Sequence, residues 1–114
     1  MKNWKDVYKL PFKLDSYGGI HVFDSRNNLV FEFDEYIANP STLLKAINDE
    51  KVIEQKADLT YNEKDQCIYV DNEPIISIRG YGYLTGIGGL RLSHNEAAHI
   101  QDSLAEYIIE QLNK

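Results

Sequence analysis

"ADLTYNEKDQCIYVDNEPIISIRGY", residues 57–81, decides the fold of this 114-residue chain. Three strand-like runs stand in it, at residues 58–62, 66–70 and 74–81, rich in the aromatic and β-branched residues that suit a pleated, half-buried surface. Glu63-Lys64-Asp65 and Asp71-Asn72-Glu73 separate them, polar, turn-forming and short enough for hairpin connections. The segment reads as an antiparallel meander. Upstream, "GIHVFDSRNNLVFEFD" (residues 19–34) reads as another hairpin, with strands at 20–24 and 29–34 around Ser25-Arg26-Asn27-Asn28, since asparagine tolerates the left-handed conformation of tight turns. Leu29, Phe31 and Phe33 alternate and are expected on one face.

Two helices complete the pattern. "NPSTLLKAINDEK" (39–51) offers Asn39 or Ser41 as N-cap, Pro40 in the first turn, and Leu43, Leu44 and Ile47 as an apolar stripe. "SHNEAAHIQDSLAEYIIEQLN" (93–113) opens with the capping box Ser93/Glu96, then repeats Ala97, Ile100, Leu104, Ile108 and Leu112 at helical spacing. Glu96, Gln101, Asp102, Ser103, Glu106 and Glu110 fall on its other side. At the N-terminus Trp4, Val7 and Tyr8 suggest a short helix or coil stopped by Pro11, and Phe12-Lys13-Leu14 alternates. The order is ββαβββα: a single α+β domain over residues 1–114, with a mostly antiparallel sheet and both helices on one face. Tyr61, Tyr69, Tyr81 and Tyr83 lie in or beside the meander, and an aromatic open face would imply a homo-oligomer.

The net charge of −6 is unevenly spread. Residues 1–14 carry +3, residues 15–73 carry −8 from five basic and thirteen acidic side chains, and residues 74–114 carry −1. An acidic middle disfavours direct nucleic-acid binding, which needs Lys and Arg to neutralise phosphates, and favours a basic protein partner. Glu32, Asp34, Glu35, Asp49, Glu50 and Glu54 are the candidate contacts. Cys67 is the single cysteine, so no intramolecular disulfide forms and a reducing cytoplasm is the expected compartment. No run approaches the roughly 18 apolar residues of a membrane span.

Five of seven glycines fall between Gly80 and Gly89, bracketed by Arg79 and Arg91. A Walker A loop is excluded because no lysine occurs from Ile75 to Gln111, and the dinucleotide fingerprint fails because Thr85 stands where Gly80 and Gly82 would require a third glycine. What survives is a backbone concavity with two arginines before a helix start, suited to a small anionic ligand. Arg79, Gly80, Tyr81, Gly82, Tyr83, Gly86, Gly88, Gly89 and Arg91 would line it, the tyrosines stacking on a base. The competing reading is a strand-to-helix connector pinned by Leu84, Ile87, Leu90 and Leu92.

Catalytic and metal signatures are weak. Glu96 and His99 make half of a Glu-x-x-His di-iron pattern with no second pair, and His21, His94 and Cys67 lack zinc spacing. Ser25, Ser77 and Ser93 sit in no nucleophile elbow. The sequence therefore points to a non-enzymatic protein without cofactor or metal, with a small enzyme whose site is shared across subunits as the minority reading.

The run "IRGYGYLTGIGGLRLSHNEAAHIQDSLAEYIIEQLN", with the hairpin "GGIHVFDSRNNLVFEF" before it, resembles a class of small accessory proteins carried by phages and prophages. The resemblance implies a role in infection, such as regulating a phage process or blunting a host defence, by masking a protein or sequestering a nucleotide signal. Capture of a small anionic, nucleotide-like ligand at the glycine-rich loop is the leading expectation. The alternative is an acidic inhibitor that masks a basic surface of a host protein.

Overall fold

The computed structural model describes residues 3–15, 19–50, 58–78, 84–86 and 91–114. Among these, six strands form one antiparallel sheet: β1 (Lys13–Leu14), β2 (His21–Phe23), β3 (Leu29–Phe33), β4 (Leu59–Asn62), β5 (Cys67–Val70) and β6 (Glu73–Ser77). Two helices, α1 (Pro40–Ile47) and α2 (His94–Leu112), and a 3-10 turn at Trp4–Asp6 accompany it. The fold is α+β, as expected, with one strand more than the sequence reading assigned: the alternating Lys13–Leu14 joins the sheet as β1.

The sheet order is β1-β2-β3-β6-β5-β4. Two three-stranded meanders, each followed by a helix, thus meet at a central seam between β3 and β6. Among the described residues, Glu32↔Ser77 and Phe33↔Ile76 are paired across it, with one further bond from the Asp34 N–H to the Ile75 carbonyl at 2.8 Å. The turns follow local chemistry. Asp71 and Asn72 both take positive φ (50° and 70°), the two-residue turn whose twist matches the strands it joins, and Asn27 does the same (69°) between β2 and β3.

Register sorts the strand residues into two faces. Val22↔Phe31, Phe33↔Ile76, Ile68↔Ile76 and Tyr61↔Ile68 form the inward row. His21↔Glu32, Glu32↔Ser77, Cys67↔Ser77 and Asn62↔Cys67 form the outward one. The inward row is buried under both helices, in one cluster with Leu44, Ile47, Ile100, Leu104 and Ile108. A register shift beside Val22/Phe23 corrects the simple alternation of β3: Val30 is buried next to Phe31, while Leu29 is left half-exposed.

Both helices lie where their stripes require. The capping box of α2 is formed, with Ser93 Oγ accepting from the Glu96 N–H at 3.2 Å and Glu96 Oε1 accepting from the Ser93 N–H at 3.4 Å. Asn39 occupies the N-cap of α1 in the left-handed region (φ 56°) and makes no side-chain cap bond there; Pro40 follows in the first turn. The helices are tied together by Tyr107, whose hydroxyl donates to the Ile47 carbonyl at 2.6 Å. Gln101, placed by its polarity on the outer side of α2, is instead buried: its Oε1 accepts from Gln66 Nε2 at 3.0 Å, while its own Nε2 has no partner among the described residues.

One buried carboxylate organises the N-terminal half. Asp24, fully buried, accepts from the backbone N–H groups of Lys9 (3.0 Å), Arg26 (2.9 Å) and Asn28 (2.9 Å). Arg26 Nε lies 3.9 Å from it, and Arg26 Nη2 donates to the Val7 carbonyl at 2.7 Å. The β2–β3 turn is thereby stapled to the segment before β1. Among the described residues, no helix is long and apolar enough to cross a membrane.

Candidate functional site

Of the nine residues expected to form an anion-binding loop, Arg79, Gly80, Tyr81, Gly82, Tyr83, Gly88 and Gly89 lie outside the described residues. Gly86 and Arg91 are described. Gly86 has φ +109°, a conformation L side chains rarely adopt, and a Cβ there would meet Arg91 Cγ at 3.0 Å. Leu84 is fully buried, and the Leu92 N–H donates to the Leu84 carbonyl at 2.8 Å. Arg91 itself is exposed in the left-handed region (φ 54°), two residues before the N-cap of α2. The described part of this segment therefore has both a packed anchor and an outward cation.

The acidic candidates are divided by the fold. Glu32, Asp34 and Glu35 line one groove of about 300 Å³ over the β3–β6 seam, with Ile20, Ile75 and Pro74 among its apolar walls. Asp49 and Glu50 lie instead just beyond the end of α1. There Asp49 accepts from Lys114 Nζ at 2.7 Å; hydrogen bonds from Lys114 and then Gln111, with the Lys114 charge, hold its carboxyl below the usual range. Glu50 lines a separate groove that also contains Lys45. Glu54 lies outside the described residues.

Within the seam groove the carboxylates are unequally engaged. Glu32 lies 3.1 Å from His21 Nε2, while His21 Nδ1 lies 3.0 Å from Asp15 Oδ2. Asp34 Oδ2 accepts from the Tyr36 N–H at 3.1 Å, which fixes the turn out of β3. Glu35 is exposed and makes no hydrogen bond or ion pair among the described residues. The next residue, Tyr36, is 86% exposed, the only large hydrophobic side chain so exposed among the described residues. Among the described residues, no lysine or arginine lines the groove.

Sequence reasoning missed His21 and Tyr36. The signal for His21 was available, since pairing the two hairpin strands sets it opposite Glu32; nothing local marks Tyr36 as exposed. Of the tyrosines in or beside the meander, Tyr61 pairs with Ile68 on the inward row, Tyr69 donates from its hydroxyl to Asp65, and Tyr81 and Tyr83 lie outside the described residues.

For catalysis the arrangement offers little. Ser77 and Cys67 line the groove, but Glu32 stands between His21 and Ser77 in the cross-strand row, so the imidazole is not beside the hydroxyl. Glu96 is spent on the helix cap and His99 is exposed. Among the described residues, no three His, Cys, Asp or Glu side chains are grouped to hold a metal ion. Comparisons with protein-family models, curated proteins and solved structures give no match.

Proposed function

We propose that the chain is a non-enzymatic accessory protein of phage type that masks a basic surface of a host protein. The observation that carries this reading is that Glu32, Asp34 and Glu35 share a groove which, among the described residues, is lined by no lysine or arginine. Carboxylates gathered over an apolar wall attract a cationic partner at long range and release little water-exposed charge when covered. The surrounding −8 of residues 15–73 adds to that steering.

The test is anisotropy of a labelled oligolysine peptide against the whole protein and two charge-matched variants. Glu32→Gln/Asp34→Asn/Glu35→Gln is expected to weaken binding about tenfold, whereas Asp71→Asn/Glu106→Gln/Glu110→Gln should change it less than about twofold. Equal losses would reduce the interaction to diffuse charge and remove the groove from the reading.

A second reading, capture of a small anionic nucleotide-like ligand by the 79–91 segment, is favoured by exposed Arg91 beside Gly86 ahead of the α2 cap. Native mass spectrometry with a nucleotide panel tests it. A stoichiometric adduct that disappears in Arg79→Ala/Arg91→Ala would replace the acidic-groove reading with this one.

A further inference from the structure

Resting on the acidic-groove reading, we propose that the seam groove receives one arginine side chain projecting from the partner protein. Size is the first argument: about 300 Å³ lies at the small end of ligand pockets and suits a single long side chain better than a folded surface. Composition is the second. The walls of Ile20, Ile75 and Pro74 match the methylene stem of a basic residue, while the three carboxylates match its charged head.

Arginine fits better than lysine for two reasons. Its planar guanidinium presents five donors in a fixed fork, enough to serve acceptors on several side chains at once, and it sheds water more readily than an ammonium group. Among the groove's acceptors, Glu35 makes no bond to any described residue, and Asp34 commits one oxygen to the Tyr36 N–H. Exposed Tyr36, adjacent in the chain to Glu35, is the type of ring on which a guanidinium stacks. An exposed aromatic next to an uncommitted carboxylate is also the composition of a binding hot spot, where tyrosine and arginine are enriched. Glu32 is already engaged, 3.1 Å from His21 Nε2, so the incoming guanidinium is directed toward Asp34 and Glu35.

The experiment is amide NMR of the full chain titrated with three five-residue peptides, identical except for a central arginine, lysine or citrulline. Saturable shifts at Asp34, Glu35, Ile75 and Ser77 are expected with arginine, about threefold weaker binding with lysine, and none with citrulline, which keeps the shape and lacks the charge. Glu35→Gln, at a side chain without described partners, should fold normally and weaken the arginine peptide about tenfold, and Tyr36→Ala about threefold.

Equal binding of arginine and lysine overturns the guanidinium assignment, and binding of citrulline overturns the role of charge. Tighter binding of spermidine than of the arginine peptide overturns the assignment in favour of a small amine. Silence of the groove amides toward all three peptides also overturns it. In that last case oligolysine separates the two levels: shifts confined to Asp49 and Glu50 would leave an acidic binding surface elsewhere, and no shifts at all would remove the acidic reading as well.

Discussion

The two faces of the sheet are cut from alternate residues of the same strands, and they solve different problems. On the inner face Val22, Phe31, Phe33, Ile68 and Ile76 are all closed to solvent and held by two helices. On the outer face His21, Glu32, Ser77 and Cys67 follow the same register but remain half-exposed. Stability therefore concentrates on one side of each strand and chemistry on the other, with the groove placed over the seam between the two meanders. The difference implies that substitutions one residue apart act on different properties.

The strongest test of that separation is Phe31→Ala, expected to cost about 3–5 kcal/mol by urea denaturation, because it empties a site walled by Phe12 and Phe33. Its outer-face counterpart, Ser77→Ala, should change stability by less than about 0.5 kcal/mol. Comparable losses from the two would break the division between the faces. Next in size is Asp24→Ala, which strands the backbone donors of Lys9, Arg26 and Asn28 and should cost about 3 kcal/mol in the same assay. This carboxylate behaves energetically as part of the core although it is charged.

On the outer face, His21→Gln should lower stability by less than about 1 kcal/mol in the same assay, since the imidazole is partly exposed. The smallest effect is confined to alkaline solution. Burial first, then the charges of Asp102 and Glu63, push the Tyr61 phenol up to about 12. An unfolded tyrosine ionises near about 10, so between those values the unfolded chain releases a proton that the folded chain keeps. Stability should fall as pH rises through that window, and Tyr61→Phe should flatten the fall, read from thermal melts between neutral pH and pH 12.

How much of this was legible varies by distance along the chain. The cap and apolar stripe of the second helix were readable, because the cap lies within one turn and the stripe repeats every three or four residues. The meander was readable because its turns are self-contained: Asp71 and Asn72 adopt the left-handed conformations that their side chains tolerate. Leu29 was misplaced because strict alternation assumes an unbroken ladder, and the shift that turns Val30 inward is set by pairing with β2. Gln101 was misplaced because its hydrogen-bond partner, Gln66, stands thirty-five positions away. For the same reason the acidic residues read as one population, whereas the fold gathers three of them into a groove with residues from other strands and sends Asp49 to Lys114.

The seam between β3 and β6 also sets an order of assembly. Each meander closes through neighbours joined by short turns, whereas the seam must bring Glu32 to Ser77 across the whole α1 region. Contacts between distant positions carry the larger loop-closure cost, so the two meanders are expected to form first and the seam to join them last. In native hydrogen exchange the Asp34 amide, donating across that seam to Ile75, would then report a sub-global opening that parts the two halves before either meander unravels. An occupant of the groove would touch Glu32 and Asp34 on one half and Pro74 and Ile75 on the other, and so slow that opening by acting as a clasp.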